Sequence, residues 1–139
     1  MKTMKVWMMA AGTMAILMLS EGCALFLVGA AAGAGAGTVS YCGNELRVSQ
    51  AVTVDRAWVA ANAAMKDMDF TIIPAETHKD ATGGRVQGRN AKDQVVRIEV
   101  MHQTDQITDL RVRVGTFNTP DNRSTAQMLY EKLNKRLAL

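Results

Sequence analysis

The stretch "ELRVSQAVTVDRAWVAANAAMKDMDF", residues 45–70, contains two periodicities in succession. Leu46, Val48 and later Val52 alternate with Glu45, Arg47 and Ser49. That period of two is the pattern of a strand with one covered face. Thr53 is placed to cap a helix. Beyond it, Val54, Ala57, Trp58, Ala61, Met65 and Met68 recur at helical spacing and form one apolar stripe. Trp58 is the bulkiest member and is expected to anchor the stripe in the core.

The same reading extends towards the C-terminus. "FTIIPAETH" (70–78) reads as a strand in which Pro74, unable to donate a ladder bond, marks an edge or bulge. "KDATGG" is a turn by composition. "RVQGRN" and "QVVRIEVMH" predict a hairpin across "NAKD". "ITDLRVRVGT" (107–116) sets Leu110, Val112 and Val114 on one side and Arg111 and Arg113 on the other. Thr119 before Pro120 opens a last helix, with Ala126, Leu129, Tyr130, Leu133 and Leu137 as its buried stripe. Strands joined by short turns pair antiparallel, and both helices must cover the one apolar face. The predicted fold is therefore α+β: a two-layer sandwich of the helix-grip kind, with about five strands and two helices in the order β-α-β-β-β-β-α. The folded domain is expected over residues 44–139.

Towards the N-terminus the chemistry changes. Lys2 and Lys5 precede an apolar run from Val6 to Leu19, and "MLSEGC" follows. These are the parts of an export signal over residues 1–22, too short for a comfortable bilayer span. Gly22 before Cys23 resembles the lipobox of bacterial lipoproteins, in which the cysteine thiol carries diacylglycerol. Ser20 and Glu21 stand where that box has a leucine and a small residue. An uncleaved anchor is the competing reading, although a charge at the centre of a spanning helix costs about 2.5–3.5 kcal/mol. Cleavage at an ordinary signal site is a third. Ala24 after the cysteine, with no aspartate there, points by the lipoprotein sorting rule to the outer membrane, with the domain facing the periplasm.

Residues 23–43 are expected to form a tether rich in glycine and alanine, uncharged from Ala24 to Cys42. As a coil it would reach about 20–25 Å. Gly29, Gly33 and Gly37 recur at four-residue intervals, which on a helix would give a small-xxx-small packing face and a membrane oligomer. Either reading is a spacer with membrane affinity.

The run "GCALFLVGAAAGAGAGTVSYCGNELRVSQAVTVDRAWVAANAAMKDMDF", with the later "RVRVGTF", resembles a family of small bacterial lipoproteins of unknown function. There a cysteine, a glycine-alanine tether and a "Y…GEL" strand lead into a "DRxW" helix. The resemblance covers nearly the whole chain and implies lipidation at Cys23. It implies no catalytic residues. Glu21, Cys42 and Asn44 depart from the family pattern.

No motif for nucleophilic, metal or nucleotide chemistry is present. His78 and His102, the two histidines, fall at strand ends and read as solvated. A small hydrolase or metal site would need Cys42, His78, His102 and Asp80 to converge. The reading is of a non-enzyme without cofactor or metal. The net charge is +3; without Lys2, Lys5 and Glu21 the remainder holds 14 basic and 12 acidic side chains, which makes no electrostatic case for nucleic acid.

One charge pattern stands out. By strand parity Arg47, Arg85, Arg89, Arg97, Arg111 and Arg113 all fall opposite the helices, whereas the lysines lie in helices and turns. The arginine fork suits phosphate and carboxylate. The face is either solvated and paired with Glu45, Glu99 and Asp109, or a surface for anionic lipid, cell-wall polymer or an envelope protein. A lipid-anchored scaffold or binding module of the cell envelope is the leading expectation.

Overall fold

The computed structural model describes residues 23–26 and 39–139. The expected signal segment 1–22 and Gly29, Gly33 and Gly37 lie outside the described residues. Eight strands form one antiparallel, open sheet: β1 (Cys23–Phe26), β2 (Val39–Cys42), β3 (Glu45–Gln50), β4 (Thr71–Ile72), β5 (His78–Asp80), β6 (Gly83–Arg89), β7 (Val95–Thr104) and β8 (Ile107–Val114). Among the described residues the α-helices are α1 (Val54–Asp67) and α2 (Pro120–Leu137). The sheet order is β1-β2-β3-β8-β7-β6-β4, with β5 also paired to β6. The α+β class, the antiparallel sheet and the two covering helices agree with the sequence reading.

The sheet is larger than the five strands expected, for two reasons. "FTIIPAETH" is broken at Pro74 into β4, a turn of 3-10 helix (Pro74–Glu76) and β5, both short strands pairing with β6. A proline without an amide hydrogen interrupts the ladder there. On the other side the sheet reaches into the segment read as tether. Val39 and Tyr41 in β2 are 3% and 4% exposed and belong to the core, and β2 is joined to β3 by the turn at Gly43 (φ +61°). The ladder then continues to β1.

Period-two alternation places Leu46, Val48, Val86, Val96, Ile98, Val100, Leu110, Val112 and Val114 on the covered face, all buried. Against them lie Ala57, Ala60, Ala61, Ala64 and Met65 of α1 and Ala126, Leu129, Tyr130, Leu133 and Leu137 of α2. Both helices start where the sequence sets a cap. The Thr53 hydroxyl accepts from Arg56 N–H and the Thr119 hydroxyl from Asn122 N–H, satisfying first-turn amides that the helix itself cannot. The helices are clipped together by Arg136, whose fork donates to both oxygens of Asp67 at 2.6 and 2.7 Å, and by Arg56, which donates to the Leu137 carbonyl at 2.6 Å.

Trp58 departs from its expected role as core anchor. It is half-buried and packs at the margin of the core, while Met65 is fully buried. The cause lies in β6, whose covered positions read Gly84, Val86, Gly88. A Cβ at Gly84 would stand 2.7 Å from the Trp58 ring, and one at Gly88 would stand 2.8 Å from Met65 Cε. The two glycines thus form recesses that receive two side chains of α1, two helical turns apart. Gly84→Ala is expected to force the ring aside and to crowd the His78 carbonyl, which is 2.9 Å from the same point, and to lower stability by about 1–3 kcal/mol. Thermal denaturation of wild type and variant side by side checks this; equal melting temperatures would show that the ring moves without resistance.

Candidate functional site: the open face of the sheet

No helix of the described residues covers the second face of the sheet, and the ladders fix which side chains share it. One cross-strand row runs Cys42, Glu45, Arg113, Arg97, Gln87. The next runs Ser40, Arg47, Arg111, Glu99, Arg85, His78. A third holds Ser49, Asp109, Met101 and Gly83. Arg89 lies at the end of β6, opposite Val95. All six arginines singled out from the sequence are therefore on this face, and four of them form two directly opposed like-charged pairs, Arg113 with Arg97 and Arg47 with Arg111.

Like charges placed directly across a ladder destabilise it unless counter-ions intervene. Three arginines have one. Glu45 takes Arg47 at 2.7 Å along its own strand, Glu99 takes Arg85 across strands at 2.9 Å, and Asp93, from the β6–β7 turn, takes Arg89 at 3.2 Å. Asp109, expected as a third counter-ion within the sheet, instead accepts from the Ser49 hydroxyl at 2.5 Å. Arg97 donates to the neutral Gln87 side chain at 3.1 Å. Among the described residues, Arg111 and Arg113 make no ion pair or side-chain hydrogen bond. The unneutralised cations are thus three neighbours, Arg97, Arg111 and Arg113, at the middle of the sheet.

Two depressions flank them. One, of about 240 Å³, is lined by Ser40, Arg47, Ser49, Asp109 and Arg111. The other, of about 210 Å³, is lined by His78, Asp80, Thr82, Gly84, Arg85 and Glu99. Both are shallow hollows in a broad surface; the first offers Arg47 and Arg111 to an anionic group, whereas in the second Arg85 is already paired with Glu99. A separate hollow of about 340 Å³ at the start of α2 is lined by Pro120, Arg123, Ser124 and Gln127. Arg123 there lies 4.6 Å from the centre of the Tyr41 ring, a cation–π contact tying α2 to β2.

The residues a hydrolase or metal site would need are not brought together. Cys42 is on β2 and His78 on β5, five strand spacings apart in the sheet, about 24 Å at the usual separation. His102, exposed near the end of β7, has its ring nitrogen 3.4 Å from Asp105. Among the described residues no group of three His, Cys, Asp or Glu side chains is placed to hold a metal ion, and no helix is long and apolar enough to cross a membrane.

Sequence reasoning missed a polar cluster that closes one end of this sheet. Buried Asn44 donates to the carbonyls of Val114 and Gly115 at 3.3 and 3.0 Å. Buried Asn122 donates to Phe117 O at 2.8 Å and accepts from Gln94 at 3.1 Å. Its signal was the conjunction of Gly115 (φ +66°) with an asparagine inside an apolar helix stripe.

Asp80 is the ionisable group most tightly held beside the face. One oxygen accepts from the Thr82 hydroxyl, the Thr82 amide and the Gly83 amide at 2.6, 2.7 and 3.1 Å. These bonds, the hydroxyl foremost, hold its carboxyl below the ordinary aspartate value of 3.8. In the unfolded chain the group takes up its proton at the ordinary value, so its contribution to stability is complete above that pH and is lost as pH falls through the lowered value. The melting temperature of wild type is therefore expected to fall more steeply than that of Asp80→Asn between about pH 5 and about pH 2; parallel curves would remove Asp80 as a cause of acid lability.

A family model described as "Protein of unknown function (DUF3568)" matches residues 5–135. No curated protein matches the chain.

Proposed function

We propose, for a chain that belongs to the DUF3568 family of unknown function, a role as a lipid-anchored, non-catalytic binding module of the bacterial cell envelope. The observation that carries this reading is the uncovered sheet face, where Arg97, Arg111 and Arg113 adjoin without an acid on any of them. Two arginines placed opposite each other cost stability in an isolated domain. A ligand bearing phosphate or carboxylate groups in a row would offset that cost, because each guanidinium offers a planar fork to such groups.

The anchor is read from the N-terminal sequence. A basic start, an apolar run and "MLSEGC" make Cys23 the lipidation site, with residues 1–22 removed as signal peptide. Stable attachment takes more than one acyl chain or a chain with a basic patch. A diacylglycerol on Cys23 meets that requirement with its own two chains, and the arginine face adds attraction when the domain is held near an anionic leaflet or polymer. Ala24 directs the anchored protein to the outer membrane, facing the periplasm.

Two measurements test the reading. Wild type grown with labelled palmitate is expected to carry the label and to fractionate with the outer membrane, whereas Cys23→Ser does neither; an unlabelled wild type in the inner membrane would refute the anchor. Separately, the extracted protein is expected to bind vesicles containing phosphatidylglycerol more tightly than neutral vesicles, to which the anchor alone holds it. Arg111→Gln with Arg113→Gln should weaken this about tenfold or more, on the scale of about 1 kcal/mol per basic residue at a charged surface. Equal binding by the double variant would remove the face from the function.

A further inference from the structure

Cys42 is on the open face, half-buried, in the same row as Glu45 and Arg113. It is disulfide-bonded. The chain has two cysteines, and the β1–β2 ladder sets Cys23 at the register position facing Cys42. Facing residues of an antiparallel pair have Cα atoms about 4.5–5.5 Å apart, within the roughly 4.4–6.8 Å that a disulfide spans. The backbone register therefore brings the residue read as lipidation site opposite the one other thiol-bearing residue in the chain.

We propose that Cys23 has two mutually exclusive fates: acylation, or an intrachain disulfide with Cys42 that withholds its sulfur from the lipid. The inference rests on the reading of Cys23 as the lipidation site. In the first fate the Cys23 sulfur attacks a glycerol carbon of a glycerophospholipid. A sulfur–carbon bond forms, the carbon–oxygen bond to the headgroup phosphate breaks, and the thiol proton leaves with that phosphate. In the second, a disulfide oxidant of the envelope, a protein or small-molecule disulfide, accepts two electrons and two protons from the paired thiols. It leaves as two thiols, and the Cys23–Cys42 bond remains. A sulfur already bonded to sulfur is no nucleophile for the lipid, and a thioether cannot join a disulfide.

The consequence is an anchor gated by thiol oxidation. The stapled form holds β1 against β2 and keeps its signal segment; the acylated form carries Cys42 as a thiol. Cys42 is then the residue that makes anchoring of this chain depend on the redox state of the envelope.

The test uses the full chain, exported in a bacterium, as wild type, Cys42→Ser and Cys42→Ala. Palmitate label per chain is measured together with thiol trapping by a maleimide polymer, with and without reductant. Trypsin leaves both cysteines in one peptide, because no lysine or arginine lies between Lys5 and Arg47; the stapled peptide is lighter by two hydrogens than its reduced form. Wild type is expected to divide into an acylated population and a stapled one, with no molecule carrying both modifications. Both Cys42 variants should raise the palmitate label, roughly twofold if half of the wild-type chains are stapled, and dithiothreitol during growth should do the same for wild type alone. Equal labelling of wild type and both variants overturns the competition, as does the absence of the disulfide from every wild-type fraction. Absence of label from wild type and variants alike, with the disulfide present, instead overturns the anchor reading, leaving the disulfide as a staple only.

Discussion

Strand parity is the constraint from which the molecule follows. Successive side chains of β3, β7 and β8 point to opposite sides, so each apolar residue committed to the helices places its neighbour on the open face. Val112 is fully buried because it faces the helices, and Arg111 and Arg113 stand on the other side for the same reason. A slip of one residue in β3, β6, β7 or β8 would send arginines into the core. The charged face and the apolar core are thus one pattern seen from two sides, and neither is free to change alone.

That pattern also explains how the layers are held at their separation. The covered face of β6 alternates glycine, valine, glycine, and α1 settles onto it with Trp58 and Met65 in the glycine recesses. The buried face of α1 is otherwise mostly alanine, which lets it lie close to α2. Few bulky side chains are needed, and the core is built chiefly of Val, Leu and Ala. The cost appears at the edges, where Asn44 and Asn122 donate to the backbone carbonyls of Val114, Gly115 and Phe117, and Gln94 in turn donates to the Asn122 side-chain oxygen.

Much of this was legible in the sequence, because it depends on period and on caps. The alternation through "ELRVSQ" and "ITDLRVRV", the helix stripes, and the threonines at both helix starts all reappear in the structure. The placement of the six arginines on one face was legible for the same reason. Their neutralisation was not. It turns on which rotamers meet: Asp93 reaches Arg89 from a turn, and Asp109 is taken by Ser49. β2 was hidden because "VSYC" is a short run ending a glycine-alanine stretch, and only pairing with β3 turns its alternation into a buried face. The facing of Cys23 and Cys42 was equally invisible, since residues nineteen positions apart meet only through a ladder register.

The open arginine face is the proposed working surface of this protein. Arginine-selective dicarbonyl modification, quantified residue by residue on isolated envelopes and on the detergent-extracted protein, addresses it most directly. Arg97, Arg111 and Arg113 are expected to be protected in envelopes and to become reactive on extraction, while Arg123 and Arg136 of α2 keep the same reactivity in both. Equal reactivity of the three sheet arginines before and after extraction would mean that nothing occupies the face, and would contradict the claim.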